Sequence, residues 1–263
     1  MRIAICIKQV PNTMELSIDR EKGTLIREGV PYIINPFDLV AIEAALKIRE
    51  IKANVEIISL TMGPSSSEEI LKQSFAMGVD EGVLLSDPKF SGADVLATSY
   101  TLAKGIKLLE NIDVIICGKQ TLDGDTSQVG QALGEHLGMS HIYNVKEIKE
   151  VKDDSVVVVQ EMEKDYLIIE IKTPCVLIMS KDSYKPRTPN LKMKLEAKKK
   201  NIIRYTSENF KESELCMIGL KGSSTRVKKC FVVPENSRLD RKIYIDNELN
   251  ITEILYKNLL KRE

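Results

Sequence analysis

The first 140 residues alternate strand-like and helix-like stretches, and that alternation limits the fold more than any other feature of the chain. Arg2–Ile7 is a short, β-branched apolar run that reads as a buried strand. A helix is expected from Leu39 to about Ile51, with Asp38 as its N-cap and Leu39, Ile42, Leu46 and Arg49 at helical spacing. Val55–Met62 reads as the next strand, stopped by Gly63-Pro64. A helix capped by Ser65 or Ser66 follows, carries Glu68 and Glu69 where the helix dipole favours acids, and ends at Gly78. Strand Gly82–Ser86, helix Ala93–Glu110, strand Val114–Cys117 and helix Thr126–Leu137, closed by Gly138, complete the series. Strands and helices joined by short links imply an α/β fold, a mostly parallel sheet with helices on both faces.

Two regions break the pattern. Glu15–Ile34 alternates around Lys22-Gly23 and reads as a hairpin excursion. After His141, the stretches Tyr143–Val151, Ser155–Gln160, Tyr166–Ile171 and Val176–Ser180 are expected as antiparallel strands added at the sheet edge. The chain thus divides into an α/β core (1–180), a basic segment (181–204), and a linker with a C-terminal arm (205–263). In the arm, Ile251, Ile254, Leu255, Leu259 and Leu260 share one helical face. That face suits either its own core or a partner chain, and its place after a polar linker favours the partner.

Composition removes several function classes. Lys+Arg and Asp+Glu each number 38, so no whole-chain field would draw the protein to nucleic acid or to an anionic membrane. No apolar run approaches the roughly 18 residues of a membrane span. The N-terminus has neither the apolar stretch of a secretory signal nor the Arg/Ser bias of a transit peptide, so a cytoplasmic location is expected. The five cysteines (Cys6, Cys117, Cys175, Cys216, Cys230) are scattered, with no Cys-x-x-Cys pair, which argues against a disulfide framework, an iron–sulfur site or a zinc site. With only His136 and His141 as histidines, no catalytic triad or metal pair can be assembled. No catalytic side chain and no metal ligand is assigned, and any chemistry falls to a bound cofactor.

In an open parallel sheet, ligands sit beyond the carboxyl ends of the strands. The loops placed there are Cys6–Pro11, Asn35–Asp38, Met62–Ser66 and Gly118–Gln128. The last follows a buried strand and opens a helix. Gly118 and Gly124 permit tight turns, while Thr126, Ser127 and the free amides of the next helical turn can receive a phosphate. The loop is neither a Walker A loop nor a Gly-x-Gly-x-x-Gly fingerprint. Asp123 and Asp125 oppose an anion unless they point away, cap the helix or take ribose hydroxyls. Nucleotide binding and a purely structural turn both remain open on the residues alone.

Segment Lys181–Arg204 holds nine basic and two acidic residues, with Pro186 and Pro189 excluding one continuous helix. It reads either as a solvated loop or as a docking loop, the second because Leu191, Met193 and Leu195 alternate among the lysines. Nucleic acid fits less well, since Tyr184 is the segment's sole aromatic residue for stacking.

The same residues resemble the β subunit of electron transfer flavoproteins over roughly Arg2 to Arg204. The shared motifs are Ile7-Lys8-Gln9-Val10, Ile34-Asn35-Pro36-Phe37-Asp38, Met62-Gly63-Pro64, Ala76-Met77-Gly78-Val79-Asp80, Gly118-Lys119-Gln120 through Gln128, and Pro186-Arg187 followed by Ala197-Lys198-Lys199-Lys200. The resemblance implies an adenine-nucleotide α-hydrolase-like core and an α-subunit partner carrying a mobile FAD domain. It also implies a nucleotide pocket holding AMP in one branch and a second FAD in the electron-bifurcating branch. Asp123-Gly124-Asp125-Thr126-Ser127-Gln128-Val129-Gly130 looks like the bifurcating form, where a glycine at 124 admits a diphosphate. Carried over as pocket residues are Cys6, Asn35, Asp38, Met62, Gly118, Lys119, Gln120, Asp123, Gly124, Asp125, Thr126, Gln128 and Val129, with Cys6 and Met62 contributing backbone or packing.

For partners, the resemblance implies a flavin dehydrogenase of acyl-CoA or 2-hydroxyacid type, docked through an apolar anchor that Leu191, Met193 or Leu195 could supply. Thr188-Pro189-Asn190 departs from the family at that loop. For a bifurcating subunit, NADH is the expected electron donor, and ferredoxin or flavodoxin takes one of the two electrons. Two rivals stand beside this expectation. One is an ordinary electron-transfer subunit with structural AMP; the other is a nucleotide-binding regulatory module of the stress-protein kind, which would leave the basic segment and the arm without a role.

Overall fold

The computed structural model describes residues 1–12, 18–19, 24–25, 31–228 and 248–260, the side chains of the last stretch over 250–257. The chain forms two compact units, Met1–Ser17 with Leu25–Lys228, and Ile18–Thr24 with Lys229–Glu263. In the larger unit, the core strands are β1 (Arg2–Cys6), β6 (Glu56–Met62), β7 (Glu81–Leu85), β8 (Val114–Gly118) and β12 (Cys175–Met179). Strands β9 (Ser140–Val151), β10 (Ser155–Glu161), β11 (Tyr166–Lys172) and β13 (Ile202–Tyr205) complete one nine-stranded sheet. Its order is β11-β10-β9-β12-β8-β1-β6-β7-β13, with every neighbouring pair from β9 to β13 parallel and the two pairs involving β10 antiparallel. A small antiparallel pair, β2 (Gln9–Pro11) with β5 (Tyr32–Ile34), sits where the chain leaves and re-enters the core. Strands β3 (Ile18–Asp19) and β4 (Thr24–Leu25) pair on either side of Lys22-Gly23, as the hairpin expectation requires. The connection between them lies outside the described residues.

Successive strand residues point to opposite faces, which splits the core into two layers. Ile3, Ile5, Ile57, Val114 and Ile116 pack under α1 (Pro36–Ile51) and α2 (Glu68–Met77). Ala4, Cys6, Ile58, Leu60, Ile115 and Cys117 pack under α3 (Val95–Leu109) and α4 (Val129–Leu137). The near-continuous apolar runs are the consequence: strands covered on both faces have no solvent side to mark with polar residues. Helices α2 and α4 stop at Gly78 and Gly138, both in the left-handed conformation that glycine enters freely.

Several expectations need correction. Helix α1 starts at Pro36 rather than Leu39, because proline at the first helical position needs no amide partner. Asn35 therefore takes the cap position, and Asp38 is a buried residue of the first turn whose carboxylate is used elsewhere. Neither Ser65 nor Ser66 caps α2; Ser65–Ser67 forms a 3-10 turn leading into it. Helix α4 begins at Val129, so Thr126 and Ser127 belong to the loop before it. The last of the four expected edge strands, β12, is an interior strand parallel to both β8 and β9. Its fully apolar, fully buried CVLIM is what an interior parallel strand requires. Segment 181–204 contains a short helix, α5 (Leu191–Ala197), against α2, and ends in β13 beside β7. Helices α6 (Gly219–Gly222) and α3 are neighbours. The smaller unit carries α7 (Glu248–Leu260), where Leu255 and Tyr256 are exposed; the side chains of Leu259 and Leu260 lie outside the described residues. No helix among the described residues is long and apolar enough to cross a membrane.

Candidate functional site

From β1 the chain builds outward to β6 and β7 on one side, then returns to β8 and β12 on the other. The order reverses between β1 and β8, so the loops leaving those two strands diverge over a crevice. Asn35, fully buried, spans it: its Nδ2 donates to the Gln120 carbonyl (2.8 Å), and its Oδ1 accepts from the Leu122 amide (3.3 Å). Its own amide donates to the Lys8 carbonyl (2.9 Å). One side chain thus ties the β8 loop to the start of α1 and to the β1 loop.

Asp38, three residues on, holds the strand ends from beneath. Its carboxylate accepts from the Lys8 amide (2.7 Å) and from the Gly118 amide. Burial pushes its carboxyl up to about 7, against these hydrogen bonds, one from Asn35 and the nearby Lys8 charge, all of which favour the ionised form. Gly118 has no room for a side chain: a Cβ there would strike Asp38 Oδ1 and lie 2.7 Å from the Phe37 carbonyl carbon. The glycine is required by the close approach of α1 and not by a turn.

The loop 118–128 is folded on itself around Thr121. The Asp125 amide donates to the Thr121 carbonyl (3.0 Å) and the Gly124 amide to Thr121 Oγ1 (3.3 Å). Asp125 and Ser127 are left-handed, with φ of 49° and 55°. Asp123 does not oppose an anion alone, since Lys8 Nζ donates to both its oxygens (2.6 and 2.8 Å). Lys119 Nζ donates to Asn144 Oδ1 (3.1 Å) and lies over the Tyr143 ring. Gln120 Oε1 accepts from the Ser127 hydroxyl (3.3 Å). Gly124, Asp125, Thr126 and Gln128 are exposed, and a Cβ at Gly124 would meet only Thr121 Oγ1, at 3.3 Å.

Helix α4 makes its first backbone bond from Ala132 to Gln128 (3.1 Å), so the amides of Val129, Gly130 and Gln131 have no helical acceptor. Gly130 presses on Ile178 of β12, 2.5 Å from where its Cβ would stand, which fixes the helix start over the sheet. Gln131 turns its Nε2 back to the Ser127 carbonyl (3.0 Å) and leaves a buried Oε1 with no partner. Such an end attracts negative charge.

Among the expected pocket residues, Asn35 and Asp38 are tied by hydrogen bonds to the β1 and β8 loops, Gln120 and Asp123 are held within the same loop cluster, and Gly124, Asp125, Thr126 and Gln128 are exposed on the loop that leads to α4. Cys6, at the end of β1, is buried in the layer below, and Met62 packs half-buried against that same layer. Leu191, Met193 and Leu195 are elsewhere, on α5 beside α2. Leu191 and Leu195, one turn apart, are 74% and 54% exposed.

Reading the sequence missed three contributors: Thr121, Gln131, and the pair Glu43–Arg187. Arg187 donates to the buried Glu43 through its backbone amide (3.0 Å), Nε (2.9 Å) and Nη2 (2.7 Å), and reaches Glu50 as well (2.7 Å). Burial alone would push the Glu43 carboxyl up, but the Arg187 hydrogen bonds and charge outweigh it and hold it below the ordinary range. A lone Glu in the apolar stripe of α1 was the available signal.

The sequence matches the Electron transfer flavoprotein domain over residues 22–209. It is 41% identical to the electron transfer flavoprotein subunit beta of Megasphaera elsdenii, across all of this chain and 99% of that one. It is 43% identical to the caffeyl-CoA reductase-Etf complex subunit CarD of Acetobacterium woodii, over 89% of this chain and 88% of the relative. The acryloyl-CoA reductase electron transfer subunit gamma of Anaerotignum propionicum is 40% identical over 89% of this chain and 90% of its own. With both the domain match and these end-to-end identities, the chain belongs to the electron transfer flavoprotein family, in its β-subunit branch.

Proposed function

We propose that the chain is the β subunit of a heterodimeric electron transfer flavoprotein, and that the crevice between β1 and β8 binds FAD in a complex that takes electrons from NADH and bifurcates them. The observation that carries this reading is an exposed Gly124, whose Cβ would meet only Thr121 Oγ1, in the loop that leads to three α4 amides without helical acceptors. A diphosphate fits the α4 amides; the Asp123 charge is answered by Lys8, and Asp125 is directed by an exposed, left-handed backbone. Asn35 and Asp38 would set the spacing of the walls, and the buried Gln131 Oε1 would accept one donor from the ligand or a water. The chemistry supplied by such a flavin is hydride acceptance from NADH and division of the two electrons between ferredoxin or flavodoxin and a flavin dehydrogenase. No side chain of this chain is given an acid or base role. Two relatives carry names of electron-transfer components of CoA-substrate reductases, which favours a dehydrogenase of that type as one partner.

In the same reading, segment 181–204 meets the dehydrogenase through Leu191 and Leu195, with Met193 behind them, and residues 205–263 form the linker and arm that hold the α subunit. The apolar pair stands among lysines, an arrangement that steers an acidic partner and then anchors it. The test is flavin content followed by reduction. Two FAD per heterodimer, bleached anaerobically by NADH, are expected. One FAD with one AMP, unchanged by NADH, would replace the proposal with plain electron shuttling.

A further inference from the structure

Cys6 and Cys117 occupy matched positions on neighbouring parallel strands, β1 and β8, and both face the layer beneath α3 and α4. Both are buried free thiols packed in the same core layer. Matched residues on adjacent strands lie about 4.8 Å apart, inside the roughly 4.4–6.8 Å Cα range over which a disulfide closes. No other described cysteine has this relation. Cys175 begins β12 in the opposite core layer, Cys216 is exposed on a 3-10 turn, and Cys230 lies outside the described residues.

The pair sits where it would be felt. Cys6 is two residues before Lys8, whose amide and ammonium hold Asp38 and Asp123. Cys117 precedes Gly118, and its Cβ lies 3.4 Å from where a Cβ of Gly130 would stand at the head of α4. We propose that Cys6 and Cys117 form a reversible thiol–disulfide couple under the nucleotide crevice, and that closing the bond weakens nucleotide binding. Drawing the two sulfurs to bonding distance moves the ends of β1 and β8 together and pulls support from under α4. Cys6 is the more exposed of the two, 9% against 5%, so it is the sulfur that meets the oxidant first.

The oxidant is a peroxide. The Cys6 sulfur attacks one peroxide oxygen, the O–O bond breaks, and water leaves a sulfenic acid on Cys6. The Cys117 sulfur then attacks the Cys6 sulfur and expels the sulfenic oxygen, which leaves as a second water with the Cys117 proton. Two thiols lose two protons and two electrons, and one peroxide takes them up to become two waters. A thiol reductant reverses the bond.

The weakening of binding rests on the nucleotide site proposed above, whereas bond formation does not. The full chain is treated with hydrogen peroxide, denatured, alkylated and peptide-mapped, and AMP and FAD affinities are measured before and after. A Cys6–Cys117 linked peptide, reversed by dithiothreitol, together with at least a threefold loss of affinity, is expected; in Cys117→Ala no link forms and affinity ignores peroxide. Oxidation of Cys216 without the linked peptide overturns the proposal, as does a linked peptide with unchanged affinity. If the reduced chain binds neither nucleotide, the nucleotide-site reading fails, and the linked peptide then decides the couple by itself.

Discussion

Replacing Asp38 by asparagine separates two roles of one buried carboxylate: holding the Lys8 and Gly118 amides, and carrying a charge where charge is disfavoured. An asparagine offers a single acceptor oxygen, so it can keep the Lys8 amide on Oδ1 but turns Nδ2 toward Gly118, and it carries no charge at any pH. What disappears is the titration. Because burial raises the folded-state value from 3.8 to about 7, the folded protein keeps a proton that the unfolded chain has released. The sign follows: this contribution is fully present below about pH 4 and is lost as pH rises through about 7. At about 1.4 kcal/mol per pH unit the full loss is about 4 kcal/mol, more than half of which falls between about pH 5 and pH 7.5. Asp38→Asn should therefore show a flatter stability profile than wild type across this range. Urea denaturation of both proteins at pH 5 and pH 7.5 measures this as a double difference, in which unrelated titrations cancel. A double difference below about 0.5 kcal/mol would mean that water reaches Asp38 and that the crevice floor is wet.

Three further substitutions probe the other parts of the site. Gly124→Asp should leave folding within about 0.5 kcal/mol, since its Cβ meets only Thr121 Oγ1, yet it should empty the crevice of FAD; full flavin content by absorbance would remove Gly124 from the site. Gly118→Ala should destabilise by about 3 kcal/mol or more through overpacking against Asp38 and Phe37, and a melting temperature equal to wild type would refute the contact. Arg187→Ala strands the Glu43 carboxylate, which is 4% exposed. About 3 kcal/mol is expected, the low end for breaking a buried pair, because Arg187 keeps 36% of its side chain in water. Hydrogen exchange across Leu191–Ala197 should quicken in the same variant, and unchanged protection there would show that Arg187 does not position the segment.

The parallel core was legible in the sequence because burial on both faces writes itself as short apolar runs, and glycines at 78 and 138 mark helix ends by backbone need alone. What misled was β12. A strand of CVLIM says that it is buried but not which neighbours bury it, and four successive strand-like runs after His141 looked like a meander. Strand β13 was invisible for the opposite reason. IIRY is a sheet edge, half exposed, and its pairing with β7 comes from the tertiary fold and not from periodicity.

The site shows the same division between local and non-local information. The loop after β8 was singled out from its glycines and hydroxyls, features that suit close approach to a phosphate. The roles were not legible. Asp38 reads as a cap when only its immediate neighbours are considered; its carboxylate instead serves residues 30 and 80 positions away along the chain. Asn35 likewise leaves its own helix uncapped in order to hold Gln120 and Leu122. Helix α1 thus holds Asn35 and Asp38 at its start and, about two and four turns on, the Glu43 and Glu50 carboxylates that clamp Arg187 ahead of α5. One helix thus holds Asn35 and Asp38 at the β1 and β8 loops and Arg187 at the start of segment 181–204. If the crevice takes the flavin and the segment takes the partner, as proposed, the buried Glu43 pair and the close packing at Gly118 both keep the separation between them fixed.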